Sequence, residues 1–195
     1  MAVTVSKKNI RDRLIDETIR EIGKNGPGQI SLRRIAAACG VTHATAYKHF
    51  ENKQDLIATC KKRISKRVQA YTLRSARRAQ EPCVGMCKAY LHYMTQHPQF
   101  YSLFHSSAGT AESGAVKTDF RKTYAAQYEI MQDFLCRCGI PEAERPALIR
   151  LIDVLLNGLI AILLSHTLGY DGKDITELVD LFVFDALRLR PSRPA

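Results

Sequence analysis

The sequence predicts an all-α fold, and three observations lead to this prediction. Apolar residues recur three or four positions apart along most of the 195 residues, which is the spacing of one helix face. No alternation of apolar and polar residues, as in a half-buried strand, continues for more than a few positions. Glycine and proline separate the periodic stretches. Apolar residues make up 46% of the chain, enough to bury a core, so a largely disordered protein is excluded.

Turn residues delimit the first two helices. Leucine and isoleucine at helical spacing between residues 10 and 22 predict the first helix, which Gly26-Pro27-Gly28 ends. Ser31 is the expected N-cap of the second helix, because its hydroxyl can accept a hydrogen bond from a free amide of the first turn. Gly40 ends that helix, since glycine tolerates the positive φ of a sharp turn.

Two further helices follow this turn. Thr42 is the expected N-cap of a third helix that runs to about His49. Of its residues only Ala46, together with Phe50 just beyond it, has the character of a core residue. After a short break, the spacing of apolar residues predicts a long fourth helix over about residues 53–79.

The remaining helices are separated by prolines and a loop. Pro82 opens a fifth helix, and Pro98 separates it from a short aromatic one. A loop is predicted over residues 110–114. Further helices are expected near residues 116–138, 143–168 and 174–189, and the tail 191–195 is expected to be flexible.

The charge of the chain is unevenly distributed. Within a formal net charge of +10, residues 1–80 hold 18 Lys or Arg and 6 Asp or Glu, whereas residues 81–195 hold 11 and 13. The basic first part is suited to binding a polyanion. The near-neutral, apolar second part is suited to binding a ligand or a second subunit. We therefore expect two domains, residues 1–52 and 53–190. A merely solvated basic surface is the alternative explanation.

Residues 31–53 have the pattern of a helix-turn-helix. A short helix with an apolar face leads into the tight turn Cys39-Gly40-Val41, and the next helix carries short or polar residues at its outward positions. In this motif the second helix enters the major groove, where hydroxyl, imidazole and ammonium groups suit base edges and phosphates. An ordinary polar turn between two helices is the alternative.

The chain resembles the TetR family of bacterial transcriptional repressors across about residues 7–60. The matching residues are Ser31-Leu32-Arg33-Arg34-Ile35-Ala36, Cys39-Gly40-Val41-Thr42, Ala46-Tyr47-Lys48-His49-Phe50, Asn52-Lys53 and Leu56. The resemblance implies a homodimer whose three N-terminal helices bind double-stranded DNA. It also implies a larger helical domain that binds a small-molecule effector and dimerises through its last two helices.

The resemblance also assigns DNA contacts by position. Residues that look like phosphate contacts are Thr42, Tyr47, His49 and Lys53. By the same resemblance, four residues look like contacts to the DNA bases or neighbours of such contacts: His43, Ala44, Thr45 and Lys48. At the start of the preceding helix, Ser31 and Arg33 are expected beside the DNA backbone. Many relatives carry a small-residue or glycine pattern at positions 43–45, so the operator sequence does not transfer.

Aromatic and methionine residues are concentrated in the second part of the chain. Such side chains can line apolar cavities between helices, the usual sites of small ligands, although each one alone is better explained as core. The expected lining of a ligand pocket is Met86, Tyr90, Tyr93, Met94, Phe100, Tyr101, Phe104, Phe120, Tyr124 and Tyr128.

The last two predicted helices are apolar nearly all round. Their apolar surface exceeds what one core face needs, which predicts an interface with an identical subunit. The expected interface residues are Leu151, Leu155, Leu159, Ile162, Leu178 and Phe182. A fully buried core hairpin in a monomer is the alternative.

The cysteines and the N-terminus indicate a cytoplasmic location. Six cysteines with no secretory signal suggest a reduced protein. No segment is expected to span a membrane, because the uncharged apolar run 154–170 is better explained as a buried helix. Cys83 with Cys87, and Cys136 with Cys138, leave a thiol or metal response open. Neither a metal nor another cofactor is predicted.

The hypothesis from sequence is a ligand-responsive repressor, not an enzyme. It would bind a palindromic operator as a homodimer and be released by a small, apolar or aromatic effector. No glycine-rich phosphate loop, nucleophile elbow or zinc-protease motif indicates catalysis. The alternatives are a thiol- or metal-responsive regulator of the same fold, and a helical ligand-binding or interaction protein without sequence-specific DNA binding.

Overall fold

The computed structural model describes residues 9–105, 124–165 and 175–189. Within these ranges the all-α prediction is confirmed, and no strand occurs. The last helix continues into a π-helical segment, Asp180–Asp185. The helices are α1 (Ile10–Asn25), α2 (Leu32–Ala38), α3 (His43–Tyr47), α4 (Lys53–Ala76), α5 (Pro82–Gln96), α6 (Pro98–His105), α7 (Ala125–Arg137), α8 (Arg145–Leu164) and α9 (Ile175–Val179).

Most described helix ends lie within a few residues of the predicted ones. Helix α3 ends at Tyr47 rather than His49, because the amides of His49 and Phe50 both donate to the carbonyl of Ala46 and close the last turn. Helix α4 ends at Ala76, three residues before the predicted end. The predicted loop 110–114 and tail 191–195 lie outside the described residues.

The prediction that the Ser31 side chain caps α2 is wrong. Ser31 occupies the N-cap position with an extended backbone, but its hydroxyl makes no capping hydrogen bond. Only its carbonyl takes part, accepting from the amide of Ile35 at 3.0 Å. Burial of Leu32 and Ile35 holds this short helix instead, since tertiary packing supplies most of a helix's stability in proteins.

The first of two compact units comprises residues 9–66 and 99–105 of the described chain. It contains α1 to α3, the N-terminal part of α4 and most of α6. The Arg63 guanidinium forms ion pairs with Asp12 and Asp16 and so joins α4 to α1. The largest fully buried side chains of this unit are Leu14, Ile15, Ile22, Ile35, Phe50, Leu56, Ile64 and Leu103.

The second unit comprises residues 67–98, 124–165 and 175–189 of the described chain. Helix α5 is its central element, because it packs against α7, α8 and α9. Two ion pairs secure α5: Lys88 with Asp180, and Glu81 with Arg137 at 2.8 Å. The largest fully buried side chains of this unit are Leu91, Phe134, Leu135 and Ile149.

Close packing of α5 against the end of α4 predicts that Gly85→Ala destabilises the protein. A Cβ at Gly85 would lie 2.3 Å from the Cβ of Ala79 and 3.3 Å from the carbonyl oxygen of Ser75. Overpacking of this kind costs roughly 1–3 kcal/mol, so the Tm should fall by several degrees. Thermal unfolding by circular dichroism measures the effect. The control is Gly28→Ala, whose Cβ meets no atom within 4 Å; equal Tm values for the two variants would contradict the prediction.

Helix α8 corrects the expectation that no segment is long enough to span a membrane. By length and composition alone, Arg145–Leu164 could do so. The helix nevertheless packs against α5, α7 and the π-helical segment, and one of its faces is buried there. A core helix of a soluble protein passes the same test, so this feature is weak evidence for a membrane.

Candidate nucleic-acid interface

The turn between α2 and α3 is fixed by backbone hydrogen bonds that need glycine. Gly40 has a φ of 67°, which L side chains rarely adopt. Its amide donates to the carbonyl of Ala37 at 2.9 Å, and the amide of Val41 donates to that of Ala36 at 3.0 Å. These bonds end α2 and redirect the chain, so α3 begins two residues later and packs back against α2.

Helix α3 is only five residues long and depends on its N-cap. The Thr42 hydroxyl oxygen accepts from the amide of Thr45 at 3.2 Å, which confirms the predicted cap. The same oxygen lies 2.9 Å from the hydroxyl of Thr45. The cap thus orders the first turn and both threonine side chains before any ligand arrives.

The inner and outer faces of α3 differ sharply. Ala46 is completely buried and Phe50 almost so, as the sequence predicted. Their burial fixes α3 on the rest of the unit and turns the other positions outward. Exposed positions are Thr42, His43, Ala44, Tyr47 and Lys48, and half-buried ones are Thr45 and His49. The structure therefore brings the seven predicted contacts of this segment onto one small outward surface.

Within this surface, His43 and Tyr47 restrain each other. Their rings meet edge to face at a centroid distance of 4.7 Å, one helical turn apart. Tyr47 still leaves 49% of its surface exposed, a high value for a large aromatic residue. An exposed phenol on a short helix can hydrogen-bond to a phosphate oxygen, a group that carries no sequence information.

The remaining predicted contacts lie on neighbouring segments. The Lys53 ammonium at the start of α4 donates to the carbonyl of Gly28 at 3.1 Å, which leaves two of its three protons for other acceptors. Arg33 is exposed and Ser31 half-buried. Arg34, in contrast, pairs with Glu21 at 2.8 Å. Of these two neighbouring arginines, Arg33 is thus the better candidate for a DNA contact.

Two protein-family models match this chain. The model of bacterial regulatory proteins of the TetR family matches residues 14–60, and the tetracycline-repressor-like C-terminal domain model matches residues 83–186. The second match alone spans more than half of the chain. The chain belongs to the TetR family. It is a DNA-binding transcription regulator with an N-terminal helix-turn-helix and a C-terminal helical domain, and members of this family are generally not enzymes.

Solved structures share the fold of this TetR-family regulator at low sequence identity. A protein of unknown function from Rhodococcus sp. RHA1 is 18% identical, with a TM-score of 0.77 over 98% of this chain and 100% of that one. A TetR family transcription regulator from Marinobacter aquaeolei VT8 is 19% identical, with a TM-score of 0.66 over 91% and 94%. FadR from Bacillus subtilis, solved with stearoyl-CoA, is 15% identical, with a TM-score of 0.61 over 88% and 95%. No curated protein matches the chain.

The residues predicted to line a ligand pocket lie in both compact units of the regulator. Buried positions are Met86, Met94 and Phe100, and half-buried ones are Tyr90, Tyr93, Tyr101, Phe104, Tyr124 and Tyr128. Phe100, Tyr101 and Phe104 belong to the first unit and the other six to the second. Phe120 lies outside the described residues. A pocket formed by this set stays a prediction.

Polar groups are interspersed among these aromatic residues in the second unit. The Tyr90 hydroxyl donates to Oδ1 of Asn157 at 3.2 Å and links α5 to α8. The Tyr128 hydroxyl accepts from Nε2 of Gln132 at 2.8 Å. Burial raises the pKa of the Tyr93 phenol, which therefore stays protonated at neutral pH. The aromatic region thus has oriented, neutral polar groups, as ligand sites commonly do.

The residues predicted for a dimer interface divide between the surface and the core. Leu151 and Ile162 are exposed and Leu155 is half-buried. Leu159 and Leu178 are buried within their own unit and offer little surface to a partner. The side chain of Phe182 lies outside the described residues. Sequence reasoning missed Val154 and Leu181, which are 64% and 56% exposed.

The cysteines give little support to a thiol or metal response. A hydrogen bond with Cys87, together with burial, raises the pKa of the Cys83 thiol, so this sulfur stays protonated and weakly nucleophilic. Cys136 is exposed, and Cys138, the C-cap of α7, is half-buried. In the part of the chain that the structure describes, no group of three or more His, Cys, Asp or Glu residues could hold a metal ion.

Proposed function

We propose that this TetR-family regulator is a repressor that binds a palindromic operator as a homodimer and is released by a small effector. The observation that carries the proposal is the outward surface of α3, where hydroxyl, imidazole, phenol and ammonium groups lie on a rigid helix-turn-helix. Such groups match the donors and acceptors of base edges and the charge of phosphates. Residues 1–52 would form the DNA-binding domain and residues 53–190 the ligand and dimerisation domain.

An exposed apolar stripe on α8 supports the homodimer. The stripe consists of Ala147, Leu151, Val154, Gly158 and Ala161, spaced alternately four and three residues apart, and every one of them is exposed. This is the heptad spacing of helices that pack against each other. Gly158 and Ala161 are small enough for two backbones to approach closely.

Other exposed apolar side chains of the same unit also favour a partner that covers them. Val154 is 64% exposed, and Ile162 and Leu181 add further exposed apolar surface at 42% and 56%. Large contiguous apolar patches are rare on monomeric proteins. A second copy of the chain is the proposed partner, because a helix face of this spacing is complementary to itself across a two-fold axis.

Dimerisation provides the geometry for reading a palindrome. Two copies of α3 related by a two-fold axis can enter successive major grooves on one face of the duplex if they lie about one turn apart, ~34–36 Å. An effector that binds more tightly to a dimer with another spacing would weaken operator binding, since a ligand shifts the equilibrium by its difference in affinity for the two states. Such a regulator would act in the cytoplasm, where its DNA lies.

Loss of the Lys53 ammonium should weaken binding to every DNA sequence. The expected change for Lys53→Ala is a reduction of about two units in the slope of log Kobs against log salt concentration, because each subunit of the homodimer loses one phosphate contact. Fluorescence anisotropy with a duplex from the upstream region of the gene, at four or more salt concentrations, measures the slope.

Two variants separate the phosphate contact from the other role of Lys53. Lys53→Arg keeps the charge and should retain the slope. Lys62→Ala removes a charge from an exposed position nine residues further along α4 and should change the slope less. If Lys53→Ala binds as tightly as the parent at every salt concentration, Lys53 contributes only through its bond to Gly28 and the assignment is wrong.

A further inference from the structure

Gln127 on α7 is buried without a complete set of hydrogen bonds. Its side chain is 8% exposed. The amide nitrogen Nε2 has no hydrogen-bond acceptor among the described residues. A buried donor of this kind costs roughly 1–3 kcal/mol of stability, because it gives up its bonds to water and gains none. Native proteins leave few such groups, and each one needs a specific reason.

The surroundings of Gln127 are mainly apolar. Met131 and Phe134 follow it at one and two helical turns on the same buried face of α7. This helix packs against α5 and α8, whose buried residues are almost all apolar. A donor in such an environment forms a strong and selective bond to any acceptor that reaches it, since water does not compete.

An uncharged acceptor suits Gln127 best. The partly buried charges of α5 are already paired, Lys88 with Asp180 and Glu81 with Arg137. A carboxylate brought to Gln127 would lose its hydration and gain only a neutral amide in return, which is unfavourable. A carbonyl oxygen needs no counter-charge and accepts a single N–H bond well.

We propose that Gln127 is the hydrogen-bond donor that holds the carbonyl oxygen of an uncharged, mainly apolar effector. This inference rests on the proposed release of the regulator by a small effector and names the chemical class of that effector. Gln127 then destabilises the empty protein and is retained because the ligand completes its hydrogen bonds. Functional sites commonly carry such local destabilisation.

The first test compares two glutamines on the same helix. Gln127→Leu removes the buried donor while keeping an apolar side chain of similar size, so the Tm of the ligand-free protein should rise by about 2–4 °C. The control is Gln132→Leu, which removes an amide that already donates to the Tyr128 hydroxyl at 2.8 Å and should not raise the Tm. A lower Tm for Gln127→Leu than for the parent would overturn the inference, because Gln127 would then be bonded in the empty protein, for example through a water.

The second test uses pairs of probes that differ only in a carbonyl. Benzophenone with diphenylmethane, and 2-undecanone with undecane, cover aromatic and aliphatic shapes. In at least one pair the ketone should raise the Tm of the parent more than the hydrocarbon does, and the difference should vanish in Gln127→Leu. A difference that survives in Gln127→Leu, or no difference for either pair in the parent, would overturn the inference.

Operator binding is measured separately in the same proteins. Gln127→Leu should bind a duplex from the upstream region with the affinity of the parent in the absence of effector, because Gln127 lies outside the helix-turn-helix. Failure of the parent to bind any such duplex would contradict the proposed function. It would leave the Tm results, which report on the ligand site alone, unaffected.

Discussion

Val154→Asp should convert the protein from a dimer into a monomer and abolish operator binding. Val154 is the most exposed large apolar residue of the α8 stripe, at 64%. In the proposed dimer, the two-fold axis would bring two new carboxylates into one apolar interface without counter-charges. A buried unpaired charge costs about 3–5 kcal/mol, which raises the dissociation constant of the dimer roughly 10²- to 10⁴-fold.

Sedimentation velocity and an electrophoretic shift assay measure the two consequences together. The matched control is Gln80→Asp, which adds the same charge at an exposed position between α4 and α5. It should leave both dimer and operator binding unchanged. Circular dichroism establishes that each variant is folded. A Val154→Asp protein that sediments as a dimer at micromolar concentration would rule out the α8 stripe as the interface.

Among three variants of Thr42, operator affinity should be highest for Thr42→Ser, lower for Thr42→Ala and lowest for Thr42→Asp. Thr42→Ala removes the N-cap of α3 in both subunits of the proposed homodimer, which costs about 1 kcal/mol in each, or together roughly 30-fold in operator affinity. Thr42→Asp keeps a good cap but places a negative charge where a phosphate is expected. At a separation of about 4 Å this repulsion costs up to about 4 kcal/mol in each subunit, which exceeds the cost of the lost cap. Thr42→Ser keeps both the cap and the hydroxyl.

The ranking distinguishes a DNA contact from a purely structural cap. If Thr42 only caps α3, aspartate and serine should bind equally well and alanine alone should be weak, because aspartate and serine are both favoured N-cap residues. Fluorescence anisotropy at two salt concentrations measures the affinities. High salt should narrow the gap between the aspartate and alanine variants, since it screens the charge.

The helix-turn-helix was predictable from sequence because its signals are local. Gly40 is needed for the positive φ of the turn, Thr42 provides a cap within its own helix, and Ala46 and Phe50 are the only apolar residues at inward spacing. Each of these features is decided within a few residues of chain. The side-chain cap assigned to Ser31 failed because packing of Leu32 and Ile35 can hold a short helix without it.

The proposed dimer surface could not be predicted residue by residue. Helix α8 is apolar nearly all round, so its sequence periodicity does not show which face is covered by its own unit. The packing of α5 and α7 against it decides this: Leu159 is turned inward, and Val154 is left outward. A tertiary contact, rather than a local preference, therefore selects the exposed stripe.

Gln127 was missed for a related reason. A glutamine is usually exposed, and nothing in its immediate sequence neighbourhood marks it as buried. The available signal was its spacing from Met131 and Phe134, one and two turns along the same face. Only the three-dimensional packing shows that its amide nitrogen has no acceptor among the described residues.

Changing the spacing between the two half-sites is the most direct test of whether a homodimer places two α3 helices in successive major grooves. The protected region in the upstream DNA is first located by footprinting. Affinity is then measured for duplexes with five or ten extra base pairs between the half-sites. Five extra base pairs, about half a turn, should abolish dimer binding because the half-sites then face opposite sides of the duplex. Unchanged affinity with five extra base pairs, or a protein that stays monomeric and ignores duplex DNA at low salt, would contradict this arrangement.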